Sequence, residues 1–204
     1  MEIYLVRHGE TGGNVAKRHQ SEVTPLTPKG REQIKETAKQ LKEIGPTHLI
    51  TSSVLRAVES ARYIGEILDM IPETNSVFAE LIRPKFLNGN FHKSLGSLWF
   101  YARWYFGFTD SKKDGGETYQ ELRARVKAAQ AILAAYPPDA KVVVVSHSVF
   151  INFFVAHACQ EKAMTPLQAL KRFTKVLSIK NGSITRVLYA PDAPGQACKW
   201  QVEK

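Results

Sequence analysis

Two histidines stand directly after apolar stretches that are typical of buried strands. His8 follows Arg7 at the end of a short apolar segment, and His147 follows Ser146 at the end of four consecutive valines. A neutral imidazole is nucleophilic near its ordinary pKa of about 6.5, and a histidine that attacks phosphorus can hold the phosphoryl group covalently. A single buried histidine is more often structural than catalytic, so the residues around the pair decide between the two roles.

Two arginines and one carboxylate occupy comparable places in the sequence. Arg7 ends the first apolar segment, Arg56 follows the second, and Glu80 follows a third candidate strand. Guanidinium groups bind phosphate through multidentate hydrogen bonds, and a carboxyl group can protonate a leaving alkoxide and then deprotonate water. The set predicts phosphoryl transfer through a phosphohistidine, with arginines in place of a metal ion. Taken singly, Arg56 could instead pair with Glu59, and Glu80 could be an ordinary loop carboxylate.

Hydrophobic periodicity predicts strands that alternate with helices. The predicted strands are Glu2–Val6, His48–Thr51, Ser76–Ala79 and Lys141–Ser146, and the predicted helices are Pro28–Ile44, Ser53–Asp69, Glu117–Tyr136 and Val149–Cys159. Asn181-Gly182 predicts a hairpin between Lys175–Lys180 and Ser183–Tyr189. The tail, Ala190–Lys204, is expected to be loosely ordered. This order predicts an α/β fold, a three-layer α/β/α sandwich with a mostly parallel central sheet.

The unusual residues all fall at the predicted carboxyl ends of strands. In open α/β sheets these ends meet at one edge, where ligands bind. We therefore expect the two histidines, the two arginines and Glu80 to converge there. Glycines at positions 9, 12 and 13 are expected to let backbone amides approach an anion closely.

Length and composition bound the protein class. The chain has 204 residues, which favours a single domain over 1–204, and no apolar run is long enough for a transmembrane helix. No signal peptide is read at the N-terminus, and Cys159 and Cys198 form no metal or disulfide pattern, so a cytoplasmic location is expected. The net charge of +9 indicates either a solvated basic surface or a preference for anionic substrates, since no basic run resembles a nucleic-acid-binding arm.

Several segments resemble the histidine phosphatase superfamily, the phosphoglycerate mutase-like enzymes. Arg7, His8 and Gly9 match its Arg-His-Gly entry motif, and Asn14 follows shortly after. Further segments match other family elements in the family's order: LTPKGREQ (Leu26–Gln33), TSSVLRAVESA (Thr51–Ala61), GGETYQELRARV (Gly115–Val126) and VVVVSHSVFI (Val142–Ile151). The resemblance covers about residues 1–160 and implies a phosphoglycerate mutase-like fold with an inserted helical lid at about 82–113.

The resemblance also implies a role for each residue of the set. His8 would be the nucleophile, while Arg7, Arg56 and His147 would hold the phosphoryl group. Asn14 would be an additional phosphate ligand. Glu80 would be the proton donor, although its assignment rests on position alone, and the two carboxylates Asp110 and Glu117 compete for that role.

Two departures from the family pattern bear on function. Ser148 stands where the family usually has glycine, which either narrows the pocket or adds a hydroxyl beside the phosphate. After Glu80, the Glu-Arg-x-Tyr-Gly element and the adjacent arginines of cofactor-dependent mutases are absent. These differences favour hydrolysis over mutase activity.

The insertion contains aromatic and basic residues with several possible roles. Its aromatic side chains, from Trp99 to Phe108, could form a lid helix packed on the core, a wall of the substrate pocket, or a contact with a second copy or a membrane surface. Its basic side chains either bind a second anionic group or face solvent; they are Lys85, His92, Lys93 and Arg103.

Three functions fit the sequence. The favoured one is a metal-independent phosphomonoesterase that acts on a small phosphorylated metabolite and needs no cofactor. The alternatives are a phosphoglycerate mutase and a non-catalytic phosphate-binding module. As partners we expect a small phosphorylated substrate, no nucleic acid and no membrane, in a monomer or homodimer.

Overall fold

The computed structural model describes residues 1–159, 164–165, 168, 179–191 and 198–203. Within these ranges six strands form one sheet in the order β3-β2-β4-β1-β5-β6. The strands are β1 (Glu2–Arg7), β2 (His48–Thr51), β3 (Glu73–Thr74), β4 (Lys141–Ser146), β5 (Ile184–Tyr189) and β6 (Trp200–Val202). The first four are parallel, whereas β5 and β6 add antiparallel pairs at one side. The prediction of a mostly parallel α/β sheet is confirmed.

Helices connect the parallel strands. The described helices are α1 (Gly12–Ala16), α2 (Pro28–Ile44), α3 (Leu55–Leu68), α4 (Leu95–Tyr105), α5 (Ser111–Asp114), α6 (Tyr119–Ala134) and α7 (Ser148–Ala156). Helix α2 has the predicted bounds, because the Thr27 side chain accepts from the Gly30 amide at its start and Gly45 ends it at a φ of +68°. Helices α3 and α6 begin and end one or two residues inside their predicted bounds, whereas α7 begins one residue before its predicted start and ends three residues early.

The valines of β4 divide the core into two layers. Val143 and Val145 pack with residues of α2 and α3 on one face of the sheet. Val142 and Val144 pack with residues of α4, α6 and α7 on the other face. All four are fully buried, as expected for a strand covered on both faces. The three-layer prediction is therefore confirmed.

Two sequence predictions near the sheet edges are wrong. Ser76–Phe78 forms a single 3₁₀ turn instead of a strand, because the Asn75 side chain accepts from the Val77 amide and turns the chain. The tail is not loosely ordered throughout, since β6 pairs with β5 and the Trp200 ring packs against Phe154. Residues 175–178, the greater part of the first arm of the predicted hairpin, lie outside the described residues.

The two cysteines form a disulfide, contrary to the sequence prediction. Cys159 follows α7, Cys198 precedes β6, and their Cα atoms are 5.3 Å apart. Their separation of 39 residues gives no local signal, because the bond depends on the fold that brings these two segments together. Because the two cysteines are paired, they no longer support the expectation of a cytoplasmic location.

The insertion contains α4 and α5 and packs one side onto the core. Phe100, Tyr101 and Trp104 on the inner side of α4 are buried, and the Trp104 indole donates to the Glu117 carbonyl. The outer side of the insertion exposes the large apolar side chains Leu95, Leu98, Trp99, Phe106 and Phe108. This arrangement agrees with the prediction of a helix packed on the core. None of the described helices has the length and apolar character needed to span a membrane.

Candidate active site

The register between β1 and β4 places the two histidines side by side. Arg7 pairs with Ser146 in the parallel ladder, and the His8 amide donates to the Ser146 carbonyl at 3.0 Å. The imidazole rings lie 5.1 Å apart between centroids, and both residues are buried. The part of the predicted convergence that concerns the two histidines is thus present in the fold.

The hydrogen bonds of His8 determine which ring nitrogen is nucleophilic. Arg56 Nε, which can only donate, lies 3.2 Å from His8 Nε2, and His8 Nδ1 lies 2.7 Å from the Gly9 carbonyl oxygen. Nδ1 therefore carries the ring proton, and Nε2 presents its lone pair to the guanidinium of Arg56. This is the tautomer that a nucleophilic Nε2 requires.

Burial keeps both histidines neutral. Desolvation, together with the positive charges of Arg56 and Arg7, holds the pKa of His8 well below its ordinary value. Burial and the Arg56 charge likewise hold the pKa of His147 well below the ordinary value. A neutral imidazole at physiological pH is the reactive form of a histidine nucleophile.

Two buried nitrogen atoms at this site have no hydrogen-bond partner among the residues that the structure describes. They are Arg7 Nε and His147 Nδ1. On the other side of the ring, His147 Nε2 lies 2.8 Å from the Ser52 hydroxyl, which also accepts from the Val54 amide. When Ser52 donates to Nε2, Nδ1 carries the ring proton. Buried polar atoms are nearly always paired, so these two atoms are suited to acceptor oxygens of a bound anion.

Arg56 lies at the site beside His8 and does not pair with Glu59. Its Nη1 donates to the Ser21 carbonyl at 3.1 Å, whereas Glu59 accepts from Arg31. Burial lowers the pKa of Arg56 to about 10, and the nearby Glu80 carboxylate opposes that change. Arg56 is therefore a buried cation directly beside the candidate nucleophile.

Of the three candidate carboxylates, Glu80 lies at the site. Its Oε1 accepts from the Phe150 amide at 3.2 Å, and its Oε2 lies 3.5 Å from the Val149 nitrogen, both in the first turn of α7. Asp110 is exposed and accepts from the Lys112 amide at the start of α5. Glu117 is buried and occupied by Arg125, as described next.

The ion pair between Arg125 and Glu117 supports the backbone of Glu80. Arg125 donates from Nε and Nη2 to the two Glu117 oxygens, each at 2.7 Å. Its guanidinium also donates to the carbonyls of Val77, Ala79 and Glu80. Glu117 is therefore occupied as the structural partner of Arg125.

Asn14 and Asn181 hold the loop that follows His8. Asn14 Oδ1 accepts from the Thr11 amide and hydroxyl, which closes the capping box of α1. Asn181 Nδ2 donates to the carbonyls of His8 and Gly9 and to Asn14 Oδ1. The sequence identified Asn181 only as a turn residue, because contacts so distant along the chain leave no local signal.

Gly9 serves close packing and not anion contact. A Cβ on Gly9 would collide with the Gly30 carbonyl, and a Cβ on Gly30 would collide with the Glu10 backbone. The Gly9 amide donates to the Ser60 hydroxyl. The expectation that its amide points to an anion is therefore wrong, and the glycine instead lets α2 approach the loop.

The remaining predicted residues lie around this centre. Ser148 is the first residue of α7, directly after His147. Lys85 and Lys93 are exposed, and Arg103 lies 3.5 Å from Asp114. Burial and the charge of Arg83 lower the pKa of His92, so it is neutral at physiological pH.

A cleft of about 510 Å³ opens beside the loop after His8. Its lining includes Gly12, Gly13, Arg18, His19 and Ser21. Ser21 is the residue whose carbonyl accepts from Arg56, so the cleft shares one lining residue with the hydrogen-bond network around His8. Within the described residues, no group of three or more His, Cys, Asp or Glu side chains is arranged to hold a metal ion.

Comparison with known families agrees with this geometry. The model of the histidine phosphatase superfamily (branch 1) matches residues 3–200. The chain belongs to this superfamily. The family resemblance seen in the sequence is confirmed.

Two similar sequences carry the same name. A protein from Enterobacter sp. (strain 638), named "Probable phosphoglycerate mutase GpmB", is 30% identical over 214 residues, which cover 100% of this chain and 91% of the relative. A Salmonella paratyphi C protein of the same name is 29% identical over 208 residues, with the same coverage of both chains.

Solved structures share the fold. A mycobacterial glucosyl-3-phosphoglycerate phosphatase in complex with VO3 has a TM-score of 0.72 at 22% identity, covering 99% of this chain and 96% of the other. A phosphoserine phosphatase mutant from Entamoeba histolytica, in complex with phosphoserine, has a TM-score of 0.75 at 21% identity and covers 100% and 95%.

Proposed function

We propose that this protein is a phosphomonoesterase that hydrolyses a small phosphorylated metabolite through a phosphohistidine on His8. One observation carries the proposal. The buried, neutral His8 directs Nε2 at Arg56, and the buried nitrogens Arg7 Nε and His147 Nδ1 have no partner in the described part of the chain. A tetrahedral phosphoryl group supplies the acceptor oxygens that these donors need.

In the first step, His8 Nε2 attacks phosphorus and the bond between phosphorus and the ester oxygen breaks. Arg7, Arg56 and His147 stabilise the charge on the non-bridging oxygens. Glu80 donates a proton to the departing alkoxide. Its Oε2 is the better placed oxygen for this role, because its one backbone contact is the longer, at 3.5 Å.

In the second step, Glu80 removes a proton from water, which attacks the phosphorus of phosphohistidine. The bond between His8 Nε2 and phosphorus breaks, and inorganic phosphate leaves. The guanidinium groups supply the positive charge throughout, so we propose that turnover needs neither a metal ion nor a cofactor.

Phosphate release from 4-nitrophenyl phosphate in the presence of a chelator tests the proposal. We expect wild-type turnover, and His8→Ala should lose roughly 10³-fold or more in kcat because no nucleophile remains. His48→Ala, a histidine at the other end of the sheet, is the matched control and should keep full activity. Equal activity of His8→Ala and His48→Ala would overturn the proposal.

Phosphoglycerate mutase activity is the second candidate, and the names of the sequence relatives favour it. The two activities differ in whether water or a second hydroxyl takes the phosphoryl group. With 3-phosphoglycerate as substrate, phosphate release that exceeds positional transfer would support the hydrolase. Transfer that outpaces release would support the mutase. Phosphate binding without phosphohistidine would indicate a non-catalytic module.

A further inference from the structure

Helix α4 has two apolar stripes, and one of them faces away from the core. The inner stripe holds Phe100, Tyr101 and Trp104, which are buried. The outer stripe consists of five exposed residues at the spacing i, i+3, i+4, i+7 and i+11, namely Leu95, Leu98, Trp99, Ala102 and Phe106. At 3.6 residues per turn, these five cover about 100° of the helix surface, on the side opposite the inner stripe.

The side chains of the outer stripe are far more exposed than a packed helix face allows. The exposed fraction is 86% for Leu95 and 68% for Trp99. Phe108, which is 69% exposed, follows the helix, and its ring lies stacked with that of Phe106 at 6.4 Å between centroids. Single exposed apolar residues are common in soluble proteins, whereas a contiguous apolar patch marks an interaction surface.

The insertion also carries a large share of the positive charge. Residues 82–113 contain six basic side chains and a single carboxylate, Asp110, so their net charge is +5 out of +9 for the whole chain. The basic residues are Arg83, Lys85, Lys93, Arg103, Lys112 and Lys113. Lys93 lies two residues before the outer stripe, and the ion pair between Arg103 and Asp114 joins α5, with its two exposed lysines, to α4. Cations therefore lie near both ends of the outer stripe.

We propose that the outer stripe of α4 docks the protein on an anionic lipid surface, in place of the sequence-based expectation of no membrane partner. The apolar side chains enter the boundary between headgroups and acyl chains, where tryptophan is favoured, and the neighbouring cations contact the anionic headgroups. Helix α4 has 11 residues, too few to span a bilayer, and lies along its surface. This docking surface lies outside the phosphoryl site and does not depend on the proposed function.

A second copy of the chain is the other candidate occupant of the outer stripe, and the charge argues against it. A twofold dimer brings the same patch of each copy together, so two insertions with a net charge of +5 each would face one another. Like charges placed opposite each other weaken an interface. An anionic bilayer instead complements the charge of the insertion.

Sedimentation with lipid vesicles tests the proposal. Vesicles of equal parts phosphatidylserine and phosphatidylcholine are compared with vesicles of phosphatidylcholine alone. We expect wild type to bind the mixed vesicles roughly tenfold or more tightly, because each cation near an anionic surface contributes about fivefold. For the same reason, Lys112→Gln/Lys113→Gln should lower binding to the mixed vesicles by roughly 25-fold. Lys35→Gln/Lys39→Gln, on α2, makes the same change in net charge and should stay close to wild type.

Substitutions in the outer stripe test the apolar contribution. Leu95→Ser and Trp99→Ser should each lower vesicle binding roughly tenfold or more, because a large apolar side chain no longer leaves water. Ile71→Ser, at an exposed aliphatic residue shortly before β3, is the matched control and should bind as wild type does. Trp99 is also a reporter, since the other two tryptophans, Trp104 and Trp200, are buried. Vesicle binding should shift the fluorescence emission to shorter wavelength in wild type and not in Trp99→Phe.

Three results would overturn the proposal. The first is no binding of wild type to the mixed vesicles, and the second is equal binding to both kinds of vesicle. The third is equal vesicle binding by wild type and the two serine variants. A wild-type dimer in light scattering that becomes a monomer in Leu95→Ser/Trp99→Ser, without vesicle binding, would assign the outer stripe to a second copy instead. His8→Ala should bind vesicles as wild type does, so failure of the proposed function leaves this test unaffected.

Discussion

Reduction of the disulfide between Cys159 and Cys198 should lower the thermal stability by an amount that follows from the loop that the bond closes. The bond closes a loop with a sequence separation of 39 residues. In the chain-entropy model such a loop restricts the unfolded chain by about 4 kcal/mol at 25 °C. For a domain of this size, each kcal/mol shifts Tm by roughly 2–4 °C, so reduction should lower Tm by roughly 8–16 °C.

The assay is thermal unfolding of purified protein with and without a thiol reductant. The double variant Cys159→Ser/Cys198→Ser is the control, and its Tm should be low and insensitive to reductant. A wild-type Tm that changes no more with reductant than that of the double variant would refute the reasoning. It would also restore unpaired cysteines as support for a cytoplasmic location.

Three further predictions concern the support of the site. Asn181→Ala removes donors to the His8 and Gly9 carbonyls and should lower kcat at least tenfold with little change in KM. Asn90→Ala, at an exposed asparagine, is the control. An equal effect of the two variants on kcat would contradict a positioning role for Asn181. Arg125→Met leaves Glu117 buried without its cation and should reduce the free energy of unfolding in urea titrations by about 3–5 kcal/mol. The double variant Arg125→Met/Glu117→Gln should recover part of that loss. A free energy of unfolding for Arg125→Met within 1 kcal/mol of the wild-type value would exclude a stabilising role for the ion pair. His8 and His147 stay neutral in the folded protein but bind protons when it is unfolded. The stability that they contribute is therefore present above pH 6.5 and is lost as the pH falls below it, by up to about 3 kcal/mol per pH unit for the pair. Urea titrations between pH 7 and pH 5 should show this slope, and a flat profile would contradict the neutral burial of the two rings.

The sequence predicted those site residues whose positions are set by the end of a strand. His8 and His147 could be placed together because β1 and β4 are parallel and both end in a polar residue before the histidine. The alternation of the β4 valines between two layers followed from their β-branched, fully apolar character. These features depend on local pattern and on the general rule for ligand sites in α/β sheets.

The parts that could not be predicted depend on contacts between distant segments. Asn181 reaches His8 across 173 positions, and Arg125 donates to the Val77 carbonyl across 48 positions. The strand predicted at Ser76–Ala79 does not form, because the Asn75 side chain accepts a hydrogen bond from the Val77 amide and this bond competes with strand pairing. No periodicity in the sequence records such pairings.

The most direct test of the account is to trap the covalent intermediate. Protein mixed rapidly with a radiolabelled phosphomonoester and quenched with denaturant at alkaline pH keeps phosphohistidine intact for peptide mass spectrometry. We expect label on His8 in wild type and none in His8→Ala. With 4-nitrophenyl phosphate, whose phenolate leaves without a proton from Glu80, we expect more label in Glu80→Gln because only hydrolysis of the intermediate slows. Wild-type turnover without label on His8, or label on another residue, would contradict it.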